Sequence, residues 1–419
     1  MSVGIGGMIG GGIFAVTGLS IDITKGAAPI AFLIAGIVAL LTGYSYLKLT
    51  LQFPGEGGTV TYLNRAYGSG ILTGAANILL MFSYVVLVAI YAYAFGSYGS
   101  SFASHAHQTI YLHILINFVI VMLIIVNLFD RKLAIPIENF FNISKLVLLG
   151  IFIVAGFITP MHWSHLSSHT YPSALAIIAG AMLIFLNYEG FELIANLAKD
   201  VKNPKRSLPI AYIGGIFIVM IFYVLIAMVT VSHLTFEQVQ KASSDVLSLA
   251  ASQSLGYVGF TGIIIAALMA TSSAINATFQ STGKLVYIIA KTGELPKGLE
   301  KEIRNQHFEG TLIAAALALF VANFIPLDAI ATMGSAGFLL IFMAINIANA
   351  KLAKQTNSNI WISITAALFT AAAIVVLCLK VASNPATRFH LYILIGMIVF
   401  SFIIELIYRK ITKRTIHLI

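Results

Sequence analysis

Apolar runs of about twenty residues, with few charges inside them, recur along the whole chain between short polar stretches. A run of that length is what an α-helix needs to cross the hydrocarbon layer of a bilayer. The pattern predicts about twelve spans, at roughly 3–19, 29–51, 70–97, 110–128, 138–159, 173–198, 208–232, 256–290, 310–325, 327–350, 358–381 and 389–409. The short alternating segments of an outer-membrane barrel do not occur. No cleavable signal peptide is expected ahead of the first span.

Two spans break the pattern from within. In the first, six of the nine residues from Gly4 to Gly12 are glycine, each costing a helix about 1 kcal/mol relative to alanine. The sixth carries Phe185-Leu-Asn-Tyr-Glu-Gly-Phe-Glu192, with Asn187, Glu189 and Glu192 around Gly190. Backbone freed at bilayer depth must line a cavity or bind something. Interrupted helices in corresponding positions of two halves are the mark of an inverted-repeat transporter. Five spans per half, an odd number, give the halves opposite orientations. The expected division of the single 1–419 membrane domain is repeat one at about 3–160, repeat two at about 171–352, and accessory helices at about 358–410. Those two helices would serve either oligomerisation or the scaffold; the oligomeric state is not set by this pattern. Pro54 to Gly68 reads as a turn-rich hinge, and Leu234 to Leu255 as an amphipathic surface helix entered through Thr235-Phe-Glu-Gln.

Composition agrees: 59% of residues are hydrophobic, 9% are charged and the mean hydropathy is +0.95, where soluble domains carry about 25% charge. The net charge of +9 is a matter of topology. With the amino terminus taken as cytoplasmic, only Lys25, Lys241, Lys380 and Arg388 fall outside and Lys145 lies within a span, leaving nineteen of the 24 Lys and Arg on the cytoplasmic side. That asymmetry places both termini in the cytoplasm, names the bilayer as the partner and argues against nucleic acid. Cys378, the only cysteine, excludes an intramolecular disulfide and reads as a small packed hydrophobe.

The triplet Gly10-Gly11-Gly12 would expose N–H groups at the start of a half-helix from Ile13, a ready site for a carboxylate. The competing reading is close helix packing through Gly6/Gly10 and Gly7/Gly11. Packing needs one glycine face, however, and here glycine lies on all of them. A dinucleotide fingerprint is disfavoured, because Ile9 stands where its third glycine belongs. Unwinding near Asn187–Gly190 would free carbonyls for an ammonium group, so the two breaks together suit a zwitterion. Glu189 has three readings: cap of the second half-helix, substrate contact, or proton carrier; Glu192 reads as structural. Lys145 either snorkels to an interface or, buried, alternates between charged and neutral forms as a proton-coupling group. There its ammonium, beside Thr271, Ser272 and Ser273, could replace a cation. His105, His107, His113, His162, His165, His169, His233 and His390 cluster in outward regions without metal-ligand spacing and read as solvated loop residues. No cofactor, metal site, nucleophile–base pair or ATP-binding loop is apparent, so neither an enzyme nor a primary pump is expected.

Three stretches resemble the amino acid–polyamine–organocation (APC) superfamily of secondary transporters. They are Gly4 to Phe14, Tyr188-Glu-Gly-Phe-Glu running through Lys-Asn-Pro-Lys-Arg-Ser-Leu-Pro to Ala211, and Ser272-Ser-Ala-Ile-Asn-Ala277 with Lys291-Thr-Gly-Glu-Leu-Pro296. The resemblance implies an all-α membrane protein with a LeuT-type 5+5 inverted repeat, discontinuous helices 1 and 6, and alternating access. It implies an amino acid substrate whose carboxylate meets the first break, matching Met8, Gly11 and Gly12, and whose amine meets span-six carbonyls, matching Leu186, Asn187 and Glu189. A span-five lysine, matched by Lys145, is associated with proton-coupled members that lack the sodium site. The chain departs from the family pattern where only Met1-Ser2-Val3 precede the first glycine. The leading expectation is a proton-coupled amino acid permease of the cytoplasmic membrane; the alternatives are an amino acid/amine exchanger and a non-transporting substrate sensor.

Overall fold

The structure, a computed structural model, describes residues 2–55, 57–104, 106–129, 131–242, 244–300 and 308–412. Every regular element among them is helical, the form in which an apolar chain satisfies its backbone without water. Ten of these segments are long and apolar enough to cross a membrane. One of them, Gly12–Gln52, turns at Lys25–Ala27 and consists of the helices Gly12–Thr24 and Ala28–Gln52. Phe308–Phe324, where the ninth span was expected, is apolar but shorter. Twelve crossings therefore require the Gly12–Gln52 segment to cross twice and Phe308–Phe324 to cross once.

Burial orders the bundle. Within its apolar window 89% of the Ile71–Ser100 helix is buried, against 22% for Gln108–Asn127 and Arg388–Lys410. The first is the central post, packed against Val246–Thr292, Gln108–Phe129, Leu327–Lys351 and Arg388–Thr412. The outer helices turn Ile110, Ile114, Phe118, Leu368, Val375, Tyr392 and Phe400 away from the protein, an apolar belt that suits lipid. Gly96 lets the post approach its neighbour: a Cβ there would lie 2.6 Å from the Leu112 carbonyl oxygen. Ala92, Gly96 and Ser100 form the small-residue stripe that such packing uses.

The helices are interrupted where the chain forces it. The first ends at Met8 and resumes at Gly12. The sixth expected span is α-helical over Ala174–Ile184, capped by Ser173, and then becomes 3₁₀ over Phe185–Tyr188 and Glu192–Asp200 on either side of Gly190, whose φ is +117°. Pro209 lacks an amide donor, and a π-turn follows at Ile210–Gly214 before Gly215–His233 continues.

Two expectations about connections are corrected. The supposed hinge contains a helix, Gly58–Tyr67, buried along Val60, Leu63 and Asn64. The supposed surface helix over 234–255 is divided. Thr235 and Gln238 form a capping box on the short helix Phe236–Lys241, and the stretch Val246–Thr292 is two helices that meet at a kink at Gly256, with φ of +61°.

Replacing Gly96 by leucine is expected to cost about 1–3 kcal/mol through overpacking. Gly262→Leu, where a Cβ meets nothing within 4 Å, should cost little. Thermal unfolding of the purified variants compares them directly.

Candidate substrate site

The two breaks meet backbone to backbone. A Cβ on Gly190 would lie 2.6 Å from the Gly7 carbonyl carbon and 2.7 Å from the Met8 nitrogen, so this position excludes any side chain on sterics as well as on φ. Gly12 is equally close to the other interruption, with Asn187 Oδ1 2.7 Å from the place of its Cβ. Gly11 faces the Tyr91 ring and the Thr271 methyl at 2.6 and 2.9 Å, and Gly10 faces Ala274 at 3.1 Å.

Two side chains from other helices, and one from the sixth-span break itself, hold the freed backbone. Tyr223 donates its hydroxyl toward both Met8 O, at 2.6 Å, and Asn187 O, at 2.9 Å. One hydrogen serves two carbonyls, one from each break. Lys145 Nζ donates to Gly6 O at 2.8 Å and is fully buried. The Gly190 N–H donates to Glu192 Oε2 at 2.7 Å, while Tyr84 donates to Glu192 Oε1 at 3.2 Å. The new helix from Gly12 begins with Ala15 N–H on Gly11 O, which leaves the N–H groups ahead of Ala15 outside the ladder, as at any helix start.

Against that satisfied framework stand groups without partners. Both oxygens of Glu189 and both polar atoms of the Asn187 amide are buried and make no hydrogen bond to any described residue. A buried, unpaired carboxylate is one of the most expensive groups a protein can carry, and at membrane depth such a residue points to function. The capping reading of Glu189 is thereby corrected: Glu192 holds the Gly190 amide, and Glu189 is left free to meet something else.

Met8, Gly10, Gly11, Gly12, Leu186, Asn187 and Glu189 are all brought together and all buried. The Leu186 carbonyl already accepts the Glu189 N–H at 3.1 Å, so it offers one remaining lone pair. Lys145 joins the site through Gly6 and does not snorkel. Of the three span-eight hydroxyls, Thr271 turns back to Ala267 O at 2.7 Å, whereas Ser273 reaches Asn142 Oδ1 at 3.4 Å, beside Gly6. Of the histidines, His162 and His165 face each other with tilted rings, centroids 5.5 Å apart, and His233 bonds Thr159 at 2.9 Å. No group of three or more metal-binding side chains occurs among the described residues; His105 lies outside them.

Closure is built from hydroxyls and rings. On one side Tyr62 donates to Thr50, which meets Tyr212, each at 2.9 Å, while Tyr46 meets Thr59 at 2.9 Å and packs edge-on to Phe191 and Phe342. On the other side Tyr98 donates to Phe14 O at 3.3 Å and packs edge-on against the Phe14 ring. Two broken helices packed against each other are the arrangement expected of a carrier. Comparison with known proteins decides the family, since the family model described as amino acid permease matches residues 1–402. The chain belongs to the amino acid permease family. An uncharacterized protein of Methanocaldococcus jannaschii is 34% identical over 416 residues, covering 99% of this chain and 95% of its own length. The inner membrane transport protein YbaT of Escherichia coli is 28% identical over 411 residues, with 98% and 95% covered. The branched-chain amino acid permease BcaP of Bacillus subtilis is 24% identical over 375 residues, with 84% and 79% covered.

Sequence reasoning missed two residues that contact the breaks of this permease, Tyr223 and Tyr91. Each is one of 17 tyrosines in an otherwise apolar helix, and nothing local separates it from a packing aromatic. The one available signal was a hydroxyl in a span of almost purely aliphatic and aromatic residues, since a buried phenol needs a partner.

Tyr223→Phe strands two buried carbonyls and is expected to lose about 1–3 kcal/mol of stability, read by thermal unfolding. Gly190→Ala should be worse, because backbone strain and a backbone clash add; equal or higher stability would show that the two breaks do not touch.

Proposed function

We propose that this permease is a secondary active transporter that takes up an amino acid with protons across the cytoplasmic membrane. Its substrate carboxylate sits on the amides of Gly10, Gly11 and Gly12 beside Met8, and its amine on the carbonyls and side chains at Leu186, Asn187 and Glu189. The observation that carries this reading is the contact of two broken helices at Gly7 and Gly190, with Lys145 on the first of them. Amide donors on one break and acceptors on the other match the two ends of a zwitterion.

Lys145 is the proposed coupling group. A charged ammonium holds the Gly6 carbonyl with a charge-assisted bond, roughly twice as strong as a neutral one. Loss of the proton weakens that hold and lets Ser2–Met8 swing away from Gly190, opening one side. On the LeuT-type 5+5 plan, closure of the opposite side accompanies it. The same reading puts both termini on the cytoplasmic side by the positive-inside rule; it is supported by Arg65, Lys199 and Lys291 lining one cleft.

The unpartnered carboxylate of Glu189 favours a second reading, exchange of an amino acid for a cationic amine. A relative of Bacillus subtilis is named as a serine/threonine exchanger and another as a methylthioribose transporter, so the side chain of the substrate does not follow from kinship.

Uptake of a labelled amino acid panel into proteoliposomes, with and without an imposed pH gradient, tests the proposal. Gradient-driven accumulation is expected, and it should vanish in Lys145→Ala while binding persists. Stimulation by sodium with indifference to pH would overturn proton coupling; uptake only against internal amine would favour exchange. Gly11→Leu should abolish binding, since its side chain enters the space held by Tyr91 and Thr271; retained affinity would return the glycines to packing.

A further inference from the structure

A second buried polar cluster lies away from the substrate site, where the central post meets the last helix and the segment that follows Val246–Thr292. Asn77 of the post donates Nδ2 to Glu294 Oε2 at 2.7 Å. One turn earlier on the same helix, Gly74 leaves its backbone bare against Glu405: a Cβ there would lie 2.3 Å from the Glu405 carboxyl carbon. Glu405 pairs with Arg409, which also donates to Ser69 O at 2.8 Å. Glu294, Glu405 and Asn77 are each at most 1% exposed.

Counting charges and donors leaves the cluster one proton short. It holds two carboxylates and one cation, and Glu405 occupies that cation. Glu294 Oε1, Glu405 Oε2 and Asn77 Oδ1 are buried acceptors with no donor among the described residues. The Ile71–Ser100 helix carries no charged residue, and among the described residues the charged groups acting on Glu294 are Glu405 and Arg409. Its chain neighbour Lys291 is turned onto the Tyr287 ring.

We propose that Glu294 is a proton-binding site, separate from the substrate site, whose occupancy sets how firmly the last helix and the 293–296 segment are held to the central post. Protonated Glu294 supplies the missing donor and removes the repulsion from Glu405; ionised Glu294 restores it. The same post bears Tyr84, two turns beyond Asn77 on the same face, which donates to Glu192 at the sixth-span break. A loosened post is thus felt at the transport machinery. Placement of the site on the cytoplasmic side rests on the orientation proposed above; the site itself does not.

Titration supports the geometry. Burial pushes the Glu294 carboxyl up, the Asn77 hydrogen bond pulls it down, Glu405 pushes it up, and Arg409 and Thr292 pull it down, with a net result of about 7. Between the ordinary carboxyl value of 4.5 and about 7, the folded protein holds a proton that the unfolded chain releases. Stability from this group is therefore complete below that window and is lost as pH rises through it.

Infrared difference spectra of the purified full-length protein, taken without substrate, test this. A protonated-carboxyl band should titrate near pH 7 in the unaltered protein and be absent in Glu294→Gln, which keeps the Asn77 hydrogen bond. Arg409→Gln removes the cation and should move the midpoint up by about one pH unit. Thermal stability should fall between about pH 5 and pH 7 more steeply in the unaltered protein than in Glu294→Gln. A band near 7 that survives Glu294→Gln would overturn the proposal, as would a midpoint unmoved by Arg409→Gln. A midpoint that follows sodium concentration at constant ionic strength would overturn it in favour of a metal cation. None of these readouts requires transport, so the failure of either proposal leaves the other standing.

Discussion

Hydrocarbon offers no hydrogen bonds, so a helix that stops inside a membrane must find partners for every peptide group it frees. In this permease two helices stop against each other, at Gly7–Met8 and at Gly190, with no room for a side chain between them. The rest of the site follows from that contact. Tyr223 arrives from Gly215–His233 to serve one carbonyl on each break, Lys145 arrives to hold Gly6, and Glu192 folds back to take the Gly190 amide. Each holds a break and leaves the Asn187 side chain and the Glu189 carboxylate without hydrogen bonds to the described residues.

The unsatisfied groups are informative because the satisfied ones are so complete. Glu192 and Glu189 are three residues apart, equally buried, and chemically identical. One is held by an amide and a phenol and does structural work, while the other has no hydrogen bond to any described residue. The same contrast recurs at the far end of the central helix, where Glu405 has a cation, Arg409, and Glu294 has the Asn77 amide. A carboxylate's role in this protein is read from its partners, and the partners come from distant parts of the chain.

Much of the architecture was legible because length and apolarity in a membrane leave few choices. The breaks were legible too, since a run such as Gly10-Gly11-Gly12 and a buried Asn187-Tyr-Glu-Gly190 conflict with a continuous helix. The connections were not. Gly58–Tyr67 read as a hinge because its glycines and polar residues signal turns, yet burial of Val60 and Leu63 against the bundle makes it a helix. Gly256, with a non-helical backbone, divides the stretch Val246–Thr292 into two helices meeting at a kink, and Pro209 yields a π-turn in place of an end. In each case packing overrode local propensity.

By itself the amino-acid order determined that this is a polytopic helical membrane protein, where its two helices fail, and that Gly10–Gly12, Asn187, Glu189 and Lys145 are the residues to watch, with Met8 and Leu186 added by the family resemblance alone. These are local properties: apolar length, glycine content, and charge where charge is costly. Only the tertiary structure decided that the breaks touch, that Tyr223 bridges them, that Lys145 reaches Gly6, and that Glu192 rather than Glu189 is the cap. Those outcomes depend on which atoms of distant helices come within 3 Å or so of one another, a distance that no spacing along one chain encodes.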